Sequence, residues 1–553
     1  MNGTTRHSLV VVTAAALLLT PLSVLHAADV PNTVTRPKPA IGLAAPGTKA
    51  QREQPAAQTP ASGATSSADP NKRPNIILIM ADDLGYGDVG CCGSTKIRTP
   101  RMDRLAADGV RFTDAHSTAA VCNPSRYAIL AGTYLCHAKR TNDYSLYFHD
   151  GQITLPSLLQ SAGYRTAALG KWHNGFGRNG DPDYNAELKP GPLEIGFDSF
   201  FGTPRTHNEP PWVFVENHRV VGWDPADPIR IISHDEVLQR GLKDYGWGIS
   251  AGAANAHAAR PDERIDLIIA EKAAAFLSRS PKATPFFLYI AFAAPHVPVN
   301  PAPEFRGRSQ AGIYGDYVEQ LDHCIGRVLD ALDACGAARD TLVIVTSDNG
   351  AVCTREAIEA GHRSNGVLLG QKTDAWEGGH RVPLIARWPG RIPAGSERMA
   401  LFTQVDIMAT VAEAAGVRLP PGASPDGMSG LAAFTDPERA PAKRTEALFQ
   451  GTGSYALRQG DWLYIPRQGS GGMTVQVPPR APWGLPYAKM NQRNSDIDPQ
   501  GKVQPGAPPA QLYNLRDDLS QTTNRFRDQP DTAKRLAARM EELLPRPKRP
   551  GKQ

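Results

Sequence analysis

The segment Asn75-Ile-Ile-Leu-Ile-Met80 is apolar at every position after the first and has the length of a single strand. A strand with one wet face alternates polar and apolar residues. This one does not, so both of its faces must be covered, as in a parallel sheet between helices. Similar runs recur. Arg165-Thr-Ala-Ala-Leu169 is weaker, Pro285-Phe-Phe-Leu-Tyr-Ile-Ala-Phe292 and Thr341-Leu-Val-Ile-Val-Thr346 are strong, and Pro383-Leu-Ile-Ala-Arg387 is intermediate. Helical patterns lie between them, over 99–108, 155–161, 265–277 and 314–334. The last places Tyr317, Leu321, Ile325, Val328, Leu329 and Leu332 at spacings of three and four. This alternation predicts an α/β domain with a large, mostly parallel central sheet flanked by helices. The 51 Gly and 48 Pro argue for many turns and against a helical bundle.

The rest of the chain divides by texture. Arg6, the uncharged stretch Ser8 to Leu25 and the small residues Ala27-Ala28 predict an export signal over 1–27. No later segment is long and apolar enough to span a bilayer, so no stable membrane insertion is expected. Residues 28–72 are rich in Pro, Ala, Thr, Ser and Gln and read as a disordered linker. A catalytic domain is expected over 73–440. A smaller α+β unit with an antiparallel sheet is expected over 441–545, from a hairpin around Gln459-Gly460, the strand-like Gln511–Leu515 and a helix from about Pro530. Residues 546–553 form a basic tail. The chain's formal charge is +5, which gives no reason to propose nucleic acid as a partner. Residues 1–72 carry +3 and the tail +4, leaving −2 for residues 73–545, so the basic total belongs to the ends.

In open α/β sheets the ligand sits outside the carboxyl ends of the strands. Asp82-Asp83 follow the first apolar run, Lys171 and His173 the second, His296 the third and Asp348-Asn349 the fourth. Each alone is ordinary: Asp and Asn make turns by bonding their own backbone, and a lone His is usually structural. Together at one sheet edge they bring three carboxyls and an amide into one place. Buried carboxylates need a cation, and an oxygen-only set suits a hard one such as Ca²⁺ or Mg²⁺. In Ala120-Val-Cys-Asn-Pro-Ser-Arg-Tyr, Pro124 is expected at the first helical position with Asn123 as the cap. Cys122 then lies at a helix N-terminus, where free N–H groups favour anions. The other six Cys are too few for a disulfide scaffold, although some could pair in an exported protein. His137 and His323 read as structural or surface groups.

These motifs resemble the type I sulfatases of the alkaline phosphatase superfamily. Cys122-Asn-Pro-Ser-Arg126 is similar to the segment in which that family converts a Cys to formylglycine. Gly163-Tyr-Arg-Thr-Ala-Ala-Leu-Gly-Lys-Trp-His173 resembles its second signature, and Asp82-Asp-Leu-Gly-Tyr-Gly-Asp88 its opening metal motif. Pro295-His-Val-Pro298, Ser347-Asp-Asn-Gly350, Gly370-Gln-Lys-Thr-Asp-Ala-Trp-Glu-Gly-Gly379, Arg458-Gln-Gly-Asp-Trp462 and Leu512-Tyr-Asn-Leu-Arg-Asp-Asp518 follow in the family's order, over about residues 73 to 545. Asn123 stands at a variable position usually held by a smaller residue, and Leu169 replaces a smaller one.

The resemblance implies an exported sulfatase acting on sulfate monoesters of small molecules or glycans, with a formylglycine-generating enzyme as the partner that modifies Cys122. It implies one Ca²⁺ per chain held by Asp82, Asp83, Asp348, Asn349 and the formylglycine from Cys122. Arg126 would hold the hydrated aldehyde, which attacks sulfur to give a covalent sulfo-enzyme. Lys171 and Lys372 would bind the sulfate oxygens, His296 or Lys372 would protonate the leaving alcohol, and His173 would take a proton to expel sulfate. Thr206 and His207, in Gly202-Thr-Pro-Arg-Thr-His-Asn208, align loosely with a further sulfate-contacting segment. The residues after Gly175, including Pro210 to His218, are expected to wall the entrance. Two alternatives stay open at this point: a phosphate or phosphonate monoester hydrolase of the same superfamily, and a Ca²⁺-dependent, non-catalytic glycan-binding protein that keeps the Cys122 thiol.

Overall fold

The run that opens the folded region becomes β1 (Asn75–Asp82), and it is the axis of a ten-stranded sheet. In chain order the other strands are β2 (Val110–Phe112), β4 (Arg165–Gly170), β5 (Ser199–Gly202), β6 (Val215–Glu216), β7 (Arg219–Val220), β8 (Phe286–Pro295), β9 (Thr341–Ser347), β10 (Leu384–Arg387) and β11 (Ser396–Arg398), with β3 (Ala115–His116) pairing β12 (Phe402–Thr403) apart. The order across the sheet is β11-β2-β10-β9-β1-β8-β4-β5-β6-β7. This computed structural model describes residues 73–138, 145–206, 208–230, 260–436, 444–476 and 485–545. The expected signal, linker and tail at 1–27, 28–72 and 546–553 lie outside those residues.

The central strands β9, β1, β8, β4 and β5 are parallel. β10 is antiparallel to both β9 and β2, a direction its apolar composition does not reveal. Ile76, Leu78 and Met80 of β1 enter one apolar core with Tyr127, Ile129 and Leu130 of the helix Cys122–Ala131. Ile77, Ile79 and Ala81 enter a second with Leu321, Ile325 and Val328 of the helix Gly312–Ala334. Burial on both faces is what the unbroken apolar run requires, and it leaves only the strand ends for polar chemistry.

A second sheet of four antiparallel strands follows: β13 (Glu446–Gln450), β14 (Tyr455–Gln459), β15 (Trp462–Ile465) and β16 (Gln511–Asn514). The helix Pro530–Leu543 buries Ala533, Leu536 and Met540 in the same core as Leu448, Leu457 and Leu512. Among the described residues no helix is long and apolar enough to cross a membrane. All seven Cys are unpaired, so the pairing open to some of them is not formed.

Candidate active site

Strand register decides which polar residues meet. Ala81 lies opposite Ser347, Asp82 opposite Pro295, and Gly170 opposite Ala291. Asp82-Asp83, Asp348-Asn349, His296 and Lys171 therefore leave the sheet at one edge. Gly170 (φ 98°) permits this crowding, since a Cβ there would overlap the Ala291 carbonyl. Asp83 turns back with φ 63°, in the left-handed region that Asp tolerates better than most residues. Its N–H donates to Asp348 Oδ1 at 3.1 Å, and the Leu84 N–H donates to Ser347 Oγ at 2.9 Å.

The helix Cys122–Ala131 aims its N-terminus into this edge. It starts two residues earlier than Pro124 suggests: Val121 is the cap, Cys122 is the first helical residue and Pro124 is the third. Proline is tolerated there because the first-turn N–H groups have no intrahelical acceptor. The correction gives Asn123 another task, since its Nδ2 donates to the His173 carbonyl at 2.6 Å. His173 has φ 51°, and its Nδ1 sits 3.3 Å from Cys122 Sγ.

The remaining contacts form one buried network. Lys171 Nζ donates to Asp82 Oδ2 at 2.7 Å. Arg126 donates through Nε to Asp348 Oδ2 at 2.9 Å and through Nη1 to the Lys171 carbonyl at 3.2 Å, and its Nη2 lies 3.5 Å from Asp82 Oδ1. Asn349 Nδ2 donates to Asp83 Oδ1 at 2.7 Å, and Lys372 Nζ to Asp83 Oδ2 at 2.9 Å. His296 Nε2 is 3.7 Å from Asp83 Oδ2, and Thr206 Oγ1 is 3.4 Å from the same imidazole.

Electrostatics sorts these groups. Burial pushes the Asp82 carboxyl up, but Lys171, His296, Arg126 and Lys372 hold it well below the usual range. Burial wins at Asp83, whose pKa rises despite Lys372. It also wins at Asp348, raised to about 6, with Asp82 and Asp83 adding to the effect. Burial raises the Cys122 thiol against the pull of Lys171 and Lys372, so an unmodified Cys122 is a protonated, weak nucleophile. Burial, Lys171 and Arg126 keep His173 neutral, its pKa well below the ordinary value.

The donor set fits a hard divalent cation. Asp82 Oδ1 and Asn349 Oδ1 are buried and accept no hydrogen bond, and the raised Asp83 and Asp348 are carboxyls that a nearby cation would ionise. Oxygen atoms of Asp82 and Asp348 lie within 4.8 Å of one another and of Cys122 Sγ.

The Sulfatase family profile matches residues 74–417. The chain belongs to the sulfatase family. It is 34% identical over 511 residues to the N-acetylgalactosamine-6-O-sulfatase of Bacteroides thetaiotaomicron, covering 86% of this chain and 94% of that protein. It is 37% identical over 396 residues to the steryl-sulfatase of Mus musculus, covering 63% and 62% of the two. A solved B. thetaiotaomicron sulfatase, from work on glycosaminoglycan metabolism, superposes with a TM-score of 0.73 at 34% identity, over 85% of this chain and 99% of that one. The protein is thus a sulfuric ester hydrolase with the alkaline phosphatase-like fold.

Within this sulfatase all ten site residues expected from the sequence meet at one sheet edge: Asp82, Asp83, Cys122, Arg126, Lys171, His173, His296, Asp348, Asn349 and Lys372. Thr206 joins them through His296, while His207 lies outside the described residues. A cavity of about 180 Å³ opens beside Asn123 and His173, walled by Tyr147, Phe176, Tyr184, Arg205 and Glu209. Phe176, Pro182 and Tyr184, from the segment expected to wall the entrance, line this cavity. Within Pro210 to His218, Val215–Glu216 form β6, next to the edge strand β7, and Phe214 stacks on Phe201 at 4.9 Å.

One contribution left no readable signal. The Gly/Pro-rich stretch after β15 buttresses the Lys372 loop. Ala375 N–H donates to the Ser470 carbonyl at 2.7 Å, Met473 N–H donates to Thr373 Oγ1 at 2.8 Å, and Gln371 Nε2 donates to the Leu485 carbonyl at 2.7 Å.

Proposed function

We propose that this sulfatase is an exported enzyme that hydrolyses sulfate monoesters on carbohydrates, with 6-sulfated N-acetylgalactosamine as the first substrate to test. The observation that carries the reading is the cavity of about 180 Å³ that reaches Asn123 and His173, next to the buried cluster around Cys122. Its size and its aromatic and charged walls suit one sugar ring. The name of the B. thetaiotaomicron relative supplies the choice of sugar, and the N-terminal pattern over 1–27 supplies export.

Asp82, Asp83, Asp348, Asn349 and residue 122 would hold Ca²⁺, which lowers the cost of negative charge on oxygen nearby. A formylglycine at 122 supplies, as its hydrate, an oxygen nucleophile that the buried thiol is not; Cys122 Sγ stands where such an oxygen would be. The chain's own residues do the rest. Arg126, fixed by Asp348 and the Lys171 carbonyl, supplies positive charge at the floor of the site. Lys171 and Lys372 place two ammonium groups where sulfate oxygens gather charge; one such preorganised group is typically worth about 10²–10³-fold in rate. His173, neutral and with Nδ1 toward position 122, is placed to accept a proton there. His296 hydrogen-bonds the Val297 carbonyl through Nδ1 and turns Nε2 toward Asp83; His296 or Lys372 would protonate the leaving alcohol.

The test is the mass of the peptide carrying residue 122, from protein produced with a formylglycine-generating enzyme. An aldehyde in active protein is expected. Active protein with an intact thiol would overturn the reading.

A further inference from the structure

Behind the Cys122 segment lies a second buried cluster for which sulfate chemistry has no use. It comprises His116 in β3 and Glu377 and His380 of the short helix Glu377–His380, which are 1%, 0% and 0% exposed. His116 Nδ1 and His380 Nδ1 face each other at 3.1 Å. The outer ring nitrogens settle the tautomers. His116 Nε2 lies 2.8 Å from Asp114 Oδ1, and His380 Nε2 lies 3.3 Å from the Ala375 carbonyl oxygen. An ionised carboxylate and a carbonyl only accept, so both Nε2 atoms carry hydrogen. In the neutral rings, both Nδ1 atoms then present lone pairs to each other. Glu377 adds an independent sign: Arg381 Nη1 donates to Oε2 at 2.9 Å, while the fully buried Oε1 has no hydrogen-bond partner. An atom from each of the three side chains lies within 4.8 Å of the other two.

We propose that His116, Glu377 and His380 form a structural site for a borderline transition-metal cation, best matched by Zn²⁺, bound through the two Nδ1 atoms and Glu377 Oε1. A separation of 3.1 Å between the nitrogens suits two bonds of about 2.0–2.1 Å to one ion. Asp114 and the Ala375 carbonyl are the outer partners that metal-bound histidines characteristically have, fixing tautomer and ring orientation. Two imidazoles and one carboxylate select a softer ion than the oxygen set of Asp82, Asp83, Asp348 and Asn349, so the two sites discriminate between metals. The other charges facing the cluster pair among themselves. Arg381 Nη1 lies 3.2 Å and Arg458 Nη2 3.6 Å from Asp114. Phe449 stacks on both imidazoles, at 4.7 Å and 4.1 Å. The ion would brace two catalytic segments at once: Ser117 N–H donates to the His380 carbonyl at 2.8 Å, and Thr373 N–H to the Ala120 carbonyl at 2.7 Å.

The experiment loads the full chain with Ca²⁺ and Zn²⁺, removes the excess, and measures metal content and anomalous diffraction at the zinc edge. About one zinc per chain is expected, with its peak between the two Nδ1 atoms. His380→Gln is expected to lose that zinc and keep its calcium. No retained zinc, zinc only at the Asp82–Asp348 site, or zinc kept by His380→Gln would overturn the proposal. Should His380→Gln fail to fold, the peak position in the native chain decides.

Discussion

His173 is held by its backbone as much as by its ring. A non-glycine residue at φ 51° costs energy that other contacts must offset, and here the Asn123 amide on its carbonyl and its own N–H on Pro204 fix the turn. The result is a neutral imidazole 3.3 Å from residue 122. His173→Ala should lower kcat by about 10²–10⁴-fold with KM little changed, measured as free sulfate release. Arg126 is fully buried against Asp348, and removing one partner of such a pair leaves a charge unpaired. Arg126→Met should cost about 3–5 kcal/mol of stability in chelator, read from denaturant midpoints.

At the scale of elements, two joints matter. The first is the Gly/Pro-rich stretch against the Lys372 loop. A Cβ on Gly472 would overlap the Thr373 backbone, so Gly472→Ala should destabilise by about 1–3 kcal/mol and reduce turnover together, checked by thermal unfolding and sulfate release. The second is the anchor of the helix Pro530–Leu543. His137 Nδ1 lies 2.9 Å from Asp426 Oδ2, and Nε2 lies 2.8 Å from the Leu543 carbonyl. Both nitrogens face acceptors, so the ring is a cation, its pKa raised to about 11 chiefly by Asp426. A raised histidine stabilises fully below its unfolded pKa of about 6.5, and the contribution is lost as pH climbs toward the folded value. Stability should therefore fall between about pH 6.5 and 11, a component that His137→Gln removes; denaturation midpoints across that range test it.

For the whole molecule, what could be read in advance follows from where the information lies. β1, β8 and β9 are legible because a strand buried on both faces has few polar positions, and Asp82, His296 and Asp348 are legible because they end or directly follow such strands. The direction of β10 is not, since its apolar residues look the same in either orientation and the connection sets the pairing. β13 hides behind Glu446 and Gln450, and β6 and β7 are two residues each at an edge. Asn123 and His173 stand 50 residues apart, and His116 and His380 264 apart, so no local pattern joins either pair. Pro124 points to a helix start two residues later than Cys122, because the whole first turn accepts proline.

The most direct test of the account is free sulfate released from 6-sulfated N-acetylgalactosamine by the full chain, produced with a formylglycine-generating enzyme, beside Cys122→Ala prepared in the same way. The account predicts sustained release by the native chain and none by the variant. Release that survives Cys122→Ala would contradict it.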